Sequence, residues 1–94
     1  MKARLLLRER WVVSEGRFAE IVIWQLPRSV PGSPHSFKYR LAFVVDEECV
    51  LRFDNEAGKG DHKHLAAEEM PYAFTTLAQL VADFWNEIDG WRPP

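Results

Sequence analysis

The sequence lacks the residues and runs on which several classes of protein depend. One cysteine among 94 residues excludes an internal disulfide, and Cys49, which lies in a predicted strand, is expected to be a buried, reduced thiol. No apolar run approaches the ~20 residues of a membrane span. Leu5-Leu6-Leu7 is followed at once by Arg8-Glu9-Arg10, which argues against a secretory signal. We therefore expect a cytoplasmic protein that does not enter a membrane.

Charge of either sign is also modest. With 12 basic and 14 acidic residues the net charge is −2, which excludes a surface that is basic throughout but leaves room for a local basic patch. Aromatic residues are plentiful, with six Phe, four Trp and two Tyr in a chain that is 47% apolar, and this composition is typical of a folded domain. The length permits one hydrophobic core, so residues 1–94 are predicted to form a single domain.

Two runs rich in Leu, Val, Ile and Trp predict a first hairpin. They span residues 3–13 and 17–26, and Ser14-Glu15-Gly16 between them is a turn signal. Folding the hairpin about Glu15 sets Arg10 opposite Glu20, and opposed charges favour that register. Residues 27–36 follow, and their three prolines predict a long connection or a mobile loop, in which His35 is expected to be an exposed loop residue.

A second hairpin is predicted from residues 37–45, the acidic turn 46–48 and the strand that follows it. Apolar residues alternate along both strands. Closing the turn about Glu47 places Leu41 beside Phe53 on the core face and Arg40 opposite Asp54 on the other face. The same register puts Arg52 next to that pair, so the second face is predicted to be charged.

The C-terminal segment is predicted to be a helix. Thr76 and Gln79 form a capping box, and Gly90 followed by Pro93-Pro94 ends the helix. One apolar stripe runs along it, formed by Leu77, Leu80, Val81, Phe84, Trp85 and Ile88. The predicted fold class is therefore α+β, a four-stranded, mostly antiparallel sheet with one C-terminal helix packed on one face.

The most polar stretch of the chain is Asp54-Asn55-Glu56-Ala57-Gly58-Lys59-Gly60-Asp61-His62-Lys63-His64. We predict a loop, because glycines lose the most backbone entropy when they are ordered. RNA cleavage without a metal or cofactor needs an acid, a base and fixed positive charge near the phosphate. The residues predicted to supply acid–base chemistry are His62 and His64, with Asp54 and Asp61 to orient them. The residues predicted to hold phosphate are Lys59, Lys63, Arg40 and Arg52, together with the backbone N–H groups of Gly58 to Gly60.

Other readings of the same residues stay open. His62 and His64 with Asp54, Asp61 or His35 are potential ligands of a zinc or manganese ion, although the neighbouring lysines disfavour a bound cation. The stretch is equally consistent with a solvated, charged loop. A binding protein is a further alternative, in which the mixed face formed by Leu6, Val22 and Trp24 docks a partner protein or a second copy in a homodimer.

Five segments together resemble the TumE family, the toxin components of bacterial toxin–antitoxin systems. They are Phe37-Lys38-Tyr39-Arg40-Leu41, Arg52-Phe53-Asp54-Asn55-Glu56, residues 58–64, Pro71-Tyr72-x-Phe74 and Leu80-x-x-Asp83-Phe84. The resemblance implies a cytoplasmic toxin that is neutralised by a helix-turn-helix antitoxin. It implies no particular reaction, so RNA as the substrate remains a prediction from the residues.

Overall fold

One antiparallel sheet and one helix make up the protein. The structure is a computed structural model that describes residues 2–94. Its elements are β1 (Arg4–Ser14), β2 (Arg17–Gln25), β3 (Phe37–Val45), β4 (Glu48–Glu56), β5 (Gly60–Leu65), β6 (Glu68–Pro71) and α1 (Leu77–Gly90). The six strands lie side by side in chain order, and each pairs antiparallel with the next. Among the described residues, no helix is long and apolar enough to cross a membrane.

The predicted four-stranded sheet is wrong, because the polar stretch 54–64 is a hairpin and not a loop. Residues 54–56 complete β4, and residues 60–65 form β5. Positive φ angles at Gly58 (84°) and Gly60 (78°) close the turn between them. β6 was missed because Pro71 argues against a strand, but Pro71 is the last residue of an edge strand, where its missing N–H group costs no ladder bond.

The registers predicted for the first two hairpins are confirmed. Arg10 pairs with Glu20 across β1 and β2. Across β3 and β4, Leu41 pairs with Phe53 and Arg40 with Asp54. Because side chains alternate along a strand, these pairs fix which residues face the core and which project from the opposite side. We call that opposite side the open face.

The core lies between the sheet and α1. Thr76 caps the helix, its Oγ1 accepting from the Gln79 backbone N–H at 3.0 Å. Leu80, Phe84 and Ile88 are buried against the strands. Burying each such side chain contributes about 1.5–3 kcal/mol, so this stripe is the main force that holds α1 on the sheet. The buried strand residues are Ala19, Ile21, Ile23, Tyr39, Leu41, Phe43, Leu51 and Phe53.

Cys49 is exposed and not buried as predicted. The pairing of β3 with β4 shifts by one residue, since Phe43 pairs with Leu51 while Val44 pairs with Cys49. The extra residue, Val50, is a β-bulge, and it packs partly against the core. The bulge breaks the alternation that assigned Cys49 to the core face.

The segment 27–36 is fixed over the β4–β5 turn on the helix side of the sheet. The Gly58 N–H donates to the Pro31 carbonyl at 2.7 Å, and Val30 is buried. His35, expected to be an exposed loop residue, has a buried side chain, with Nε2 2.6 Å from Asp61 Oδ2. The segment therefore covers Asp61 and leaves the open face uncovered.

Asp61 is the anchor of this cover. The Tyr39 hydroxyl donates to its Oδ2 at 2.7 Å. The Phe37 backbone N–H donates to His35 Nδ1, so the Nε2 proton of His35 is the one that points to Asp61. Burial alone would raise the pKa of the Asp61 carboxyl, but hydrogen bonds from Ser33, Tyr39 and His35 outweigh it and lower the pKa. Burial, followed by the bond to Asp61, raises the pKa of Tyr39 well above its usual value.

Asp61→Asn should destabilise the protein by about 2 kcal/mol at pH 7, since it weakens hydrogen bonds to a buried charge. The folded carboxyl has a lower pKa than the unfolded one. Its contribution is therefore complete above the unfolded pKa and is lost as the pH falls through the lower, folded value. Urea unfolding should show a difference in the free energy of unfolding between wild type and variant at pH 7, and this difference should become smaller towards pH 3. Asp89→Asn, at an exposed helix position, is the control; a difference for Asp61→Asn that does not change with pH would contradict the assignment.

Candidate functional site

Four polar side chains meet on the open face because β4 and β5 pair in register. Asp54 pairs with His62, and Arg52 pairs with His64. Residues two apart on one strand, and residues directly opposite on its neighbour, project to the same side of a sheet. The register therefore gathers an aspartate, an arginine and two histidines, and we call these four residues the Asp–His–Arg cluster.

Arg52 lies between Asp54 and His64. Its Nε is 2.9 Å from Asp54 Oδ2, and its Nη2 is 3.0 Å from His64 Nε2. Because a guanidinium has only donors, His64 Nε2 is the acceptor and the proton of the neutral ring is on Nδ1. The His64 side chain is 23% exposed and that of Arg52 is 31% exposed. Both groups can therefore be reached from solvent.

His62 is deeper, with a side chain that is only 5% exposed. Its Nε2 lies 2.8 Å from Asp54 Oδ1, and its Nδ1 lies 3.1 Å from the Gly60 carbonyl oxygen. The Nδ1–H group donates to this carbonyl oxygen, whereas Nε2 is at ion-pair distance from Asp54. The His62 and His64 rings are 4.9 Å apart between centroids. The two histidines thus share one aspartate but differ in access.

Glu69 on β6 adds a carboxylate that was not among the predicted site residues. It pairs with His64 across β5 and β6, and its oxygens lie 3.7 Å from His62 Nε2 and 3.9 Å from His64 Nδ1. These distances are too long for hydrogen bonds. The local sequence gives no signal for Glu69, since its place depends on the strand that Pro71 ends.

A metal ion is a chemically reasonable occupant of part of the cluster. Ligand atoms of Asp54, His62 and His64 all lie within 4.8 Å of one another. However, Arg52 already donates to His64 Nε2 and forms an ion pair with Asp54. Its positive charge opposes a second cation at that point, and a metal on His64 Nε2 would need the lone pair that now accepts from Arg52. The cation built into the cluster is therefore the guanidinium.

A cleft of about 470 Å³ borders the cluster on the open face. Its cationic side is formed by Arg40, Arg52 and Lys38, and Lys38 Nζ donates to the Asn55 carbonyl oxygen. Trp24 lies opposite Lys38 across β2 and β3, and the remaining lining residues are Val22, Tyr39, Asp54 and Glu56. An anion beside a flat ring fits such a surface, since arginine binds phosphate and an indole stacks on aromatic rings.

The structure does not bring every predicted site residue to the cluster. Asp61 and Lys63 point to the helix side, where Lys63 Nζ donates to Glu87 Oε1 at 3.0 Å. Lys59 is exposed at the turn and lies 3.8 Å from the Glu56 carboxylate. Neighbouring residues of a strand project to opposite sides of the sheet. The residues predicted to form one continuous loop site therefore belong to two separate groups.

The glycines of the turn shape the backbone, and two of the N–H groups there are occupied. The Gly58 N–H donates to Pro31, and the Lys59 N–H donates to the Glu56 carbonyl at 3.1 Å. These groups are therefore not free to form the predicted anion-binding nest. Gly60 approaches segment 27–36 so closely that an added Cβ would lie 2.7 Å from the Gly32 carbonyl oxygen.

Gly60→Ala should cost more stability than Gly58→Ala. Both residues have positive φ, a strain of about 1–2 kcal/mol for alanine. A Cβ at Gly58 meets nothing within 4 Å, whereas one at Gly60 meets backbone and adds about 1–3 kcal/mol. Urea unfolding of the two variants at one pH measures the difference. An equal loss in the free energy of unfolding for the two variants would show that the contact between Gly60 and segment 27–36 is not tight.

Comparison with known proteins identifies a family. The family model described as Toxin TumE matches residues 2–92, which is nearly the whole chain. No curated protein and no solved structure matches. The match includes both hairpins, the Asp–His–Arg cluster and α1. It also implies an antitoxin as a partner. The chain therefore belongs to the TumE toxin family.

Proposed function

We propose that this toxin is a metal-independent ribonuclease that acts in the bacterial cytoplasm and is neutralised by a helix-turn-helix antitoxin. The reaction takes place on the open face, at the Asp–His–Arg cluster and the cleft beside it. Family membership supports the toxin part of the proposal. The chemistry of the cluster supports the rest.

The observation that carries the proposal is the position of Arg52. Its guanidinium spans Asp54 and His64 and is partly exposed at the cleft that Arg40 also lines. A bidentate guanidinium matches the geometry of a phosphate, and a second arginine adds charge for the transition state. Positive charge beside a neutral histidine acceptor is what phosphodiester cleavage by a 2′-hydroxyl requires.

The proposed step divides the proton transfers between the two histidines. His64 Nε2 takes the 2′-hydroxyl proton once Arg52 has turned towards the phosphate. The bond from the 2′-oxygen to phosphorus forms, and the bond from phosphorus to the 5′-oxygen breaks. The imidazolium of His62, oriented by Asp54, gives a proton to the leaving 5′-oxygen. Arg40 and Arg52 stabilise the negative charge that develops on the phosphoryl oxygens.

His64→Ala should lower RNA cleavage by about 10²–10⁴-fold, the usual contribution of one acid–base group, and should abolish growth inhibition. Arg52→Lys should also lose activity, because lysine keeps the charge but not the planar fork. Purified protein incubated with single-stranded RNA, with and without a chelator, measures both effects. Cleavage should survive the chelator.

Two further variants make the test specific. Arg28→Ala removes an exposed arginine of segment 27–36 and should leave cleavage unchanged. Lys63→Ala distinguishes two arrangements of the site. If Lys63 were part of a continuous basic loop that binds RNA, the variant would lose RNA cleavage, whereas its position on the helix side predicts no loss. Full cleavage by folded His64→Ala would refute the proposal, and cleavage lost with chelator would instead indicate a metal on Asp54, His62 and His64. No cleavage by the wild type would favour a binding protein.

A further inference from the structure

The two edges of the sheet are different. The edge at β6 is four residues long, carries Glu68 and Glu69, and ends in Pro71. Short length, charge and proline are the usual means by which a sheet edge avoids pairing with another chain. The edge at β1 is 11 residues long, and among residues 2–94 its only strand partner is β2.

β1 also exposes apolar side chains that the helix does not cover. Trp11 is 50% exposed and Val12 is 79% exposed, and the other large apolar residues exposed on this strand are Leu5, Leu6 and Val13. Trp11 pairs with Ala19, so it lies on the core side of the sheet but beyond the reach of α1. An exposed apolar row along an unpaired edge is the kind of surface that accepts an added strand.

Two irregularities limit the stretch that can pair. The register with β2 shifts between Leu5 and Leu7 and again between Val12 and Ser14. Bulges interrupt a ladder, so the regular part of the edge is Leu7–Val12. On this part, Arg8 and Arg10 project to the open face, while Leu7, Glu9 and Trp11 project to the other side.

The charges on β1 indicate what kind of segment fits. The first ten residues hold Lys2, Arg4, Arg8 and Arg10 against one acid, Glu9, in a chain whose net charge is −2. An incoming strand with acidic residues opposite Arg8 and Arg10 gains favourable cross-strand pairs. Apolar residues at the alternate positions of that strand lie beside Leu7 and Trp11.

A second copy of the chain fits this stretch poorly. Antiparallel strands related by a two-fold axis place residues of the same face opposite each other. An axis at Arg8 or at Arg10 opposes that arginine to itself, and an axis at Glu9 opposes Arg8 to Arg10 and Glu9 to Glu9. Every symmetric pairing centred between Arg8 and Arg10 therefore opposes like charges.

We propose that Leu7–Val12 is the docking edge for an extended, acidic segment of the antitoxin, which adds a seventh strand to the sheet. The inference rests on membership of the toxin family and on the β1 edge, and it is independent of whether the open face cleaves RNA. A segment on this edge does not contact the Asp–His–Arg cluster, because β4 and β5 are three and four strands away from β1.

The test uses the full chain, labelled with ¹⁵N, and two synthetic octapeptides of alternating sequence, one of Glu and Val and one of Lys and Val. The acidic peptide should shift the amide signals of Leu7–Val12 and their β2 partners, and the basic peptide should not. Arg8→Glu combined with Arg10→Glu should weaken binding by about tenfold or more, because two attractive cross-strand pairs become repulsive. Arg28→Glu combined with Arg92→Glu makes the same change in charge at exposed positions elsewhere and should bind as the wild type does.

Several results would overturn the proposal. They are equal binding of both peptides, shifts centred on Arg40 and Arg52, no shift at millimolar acidic peptide, or a dimer with protected β1 amides in the absence of peptide. If Arg8→Glu with Arg10→Glu does not fold, the neutral pair Arg8→Gln with Arg10→Gln replaces it, and acidic peptide binding should still weaken. RNA cleavage is measured separately, so each proposal can fail without the other.

Discussion

The alternation of side chains along β4 and β5 is the constraint on which the rest of the structure depends. A slip of one residue would turn Asp54 and its partner His62 into the core and Phe53 out of it. Phe53 prevents this, because it is buried with its ring against Phe84 and Tyr72, at centroid distances of 6.0 and 5.1 Å. Packing on the helix side therefore places the polar groups on the open side. The site depends on the core more than on its own hydrogen bonds.

Asn55 is a structural residue within the polar stretch. The β3–β4 pairing ends at Arg40 and Asp54, and from there the Asn55 side chain continues the link. Its Oδ1 accepts from the Tyr39 backbone N–H at 3.1 Å, and its Nδ2 donates to the Phe37 carbonyl at 2.7 Å. A fully buried amide that bonds to backbone on both sides satisfies groups that a strand end would leave unpaired. Arg40 is held beside Asp54 by this amide as well as by the ladder.

The sequence was sufficient for what depends on regular alternation and insufficient for what depends on distant contacts. It predicted α1 and both early hairpins, and hence that Arg40, Arg52 and Asp54 share a face. The entropic argument for a loop at Gly-Lys-Gly holds only for the turn itself, so β5 was missed. Asp61 was therefore grouped with His62 and His64, although its side chain lies on the helix side of the sheet. The pair of His35 and Asp61 spans 26 positions, and no local pattern indicates such a contact. At Cys49, a single bulge was enough to reverse the expected face.

The two histidine–aspartate pairs that meet at β5 show how surroundings decide between structure and chemistry. Asp61 and His62 are adjacent residues, yet Asp61 binds His35 beneath segment 27–36, where the centroid of the His35 ring lies 3.8 Å from that of the tilted Phe74 ring. His35 lies beneath segment 27–36, on the side of the sheet opposite the cleft, so a substrate bound at the cleft does not reach it. On the open face, the Nε2 of His64 is held only by a partly exposed guanidinium. When the Arg52 guanidinium turns towards a phosphate, it releases His64 Nε2 beside the bound phosphate. This coupling between phosphate binding and release of a ring nitrogen is available to His64 and not to His35.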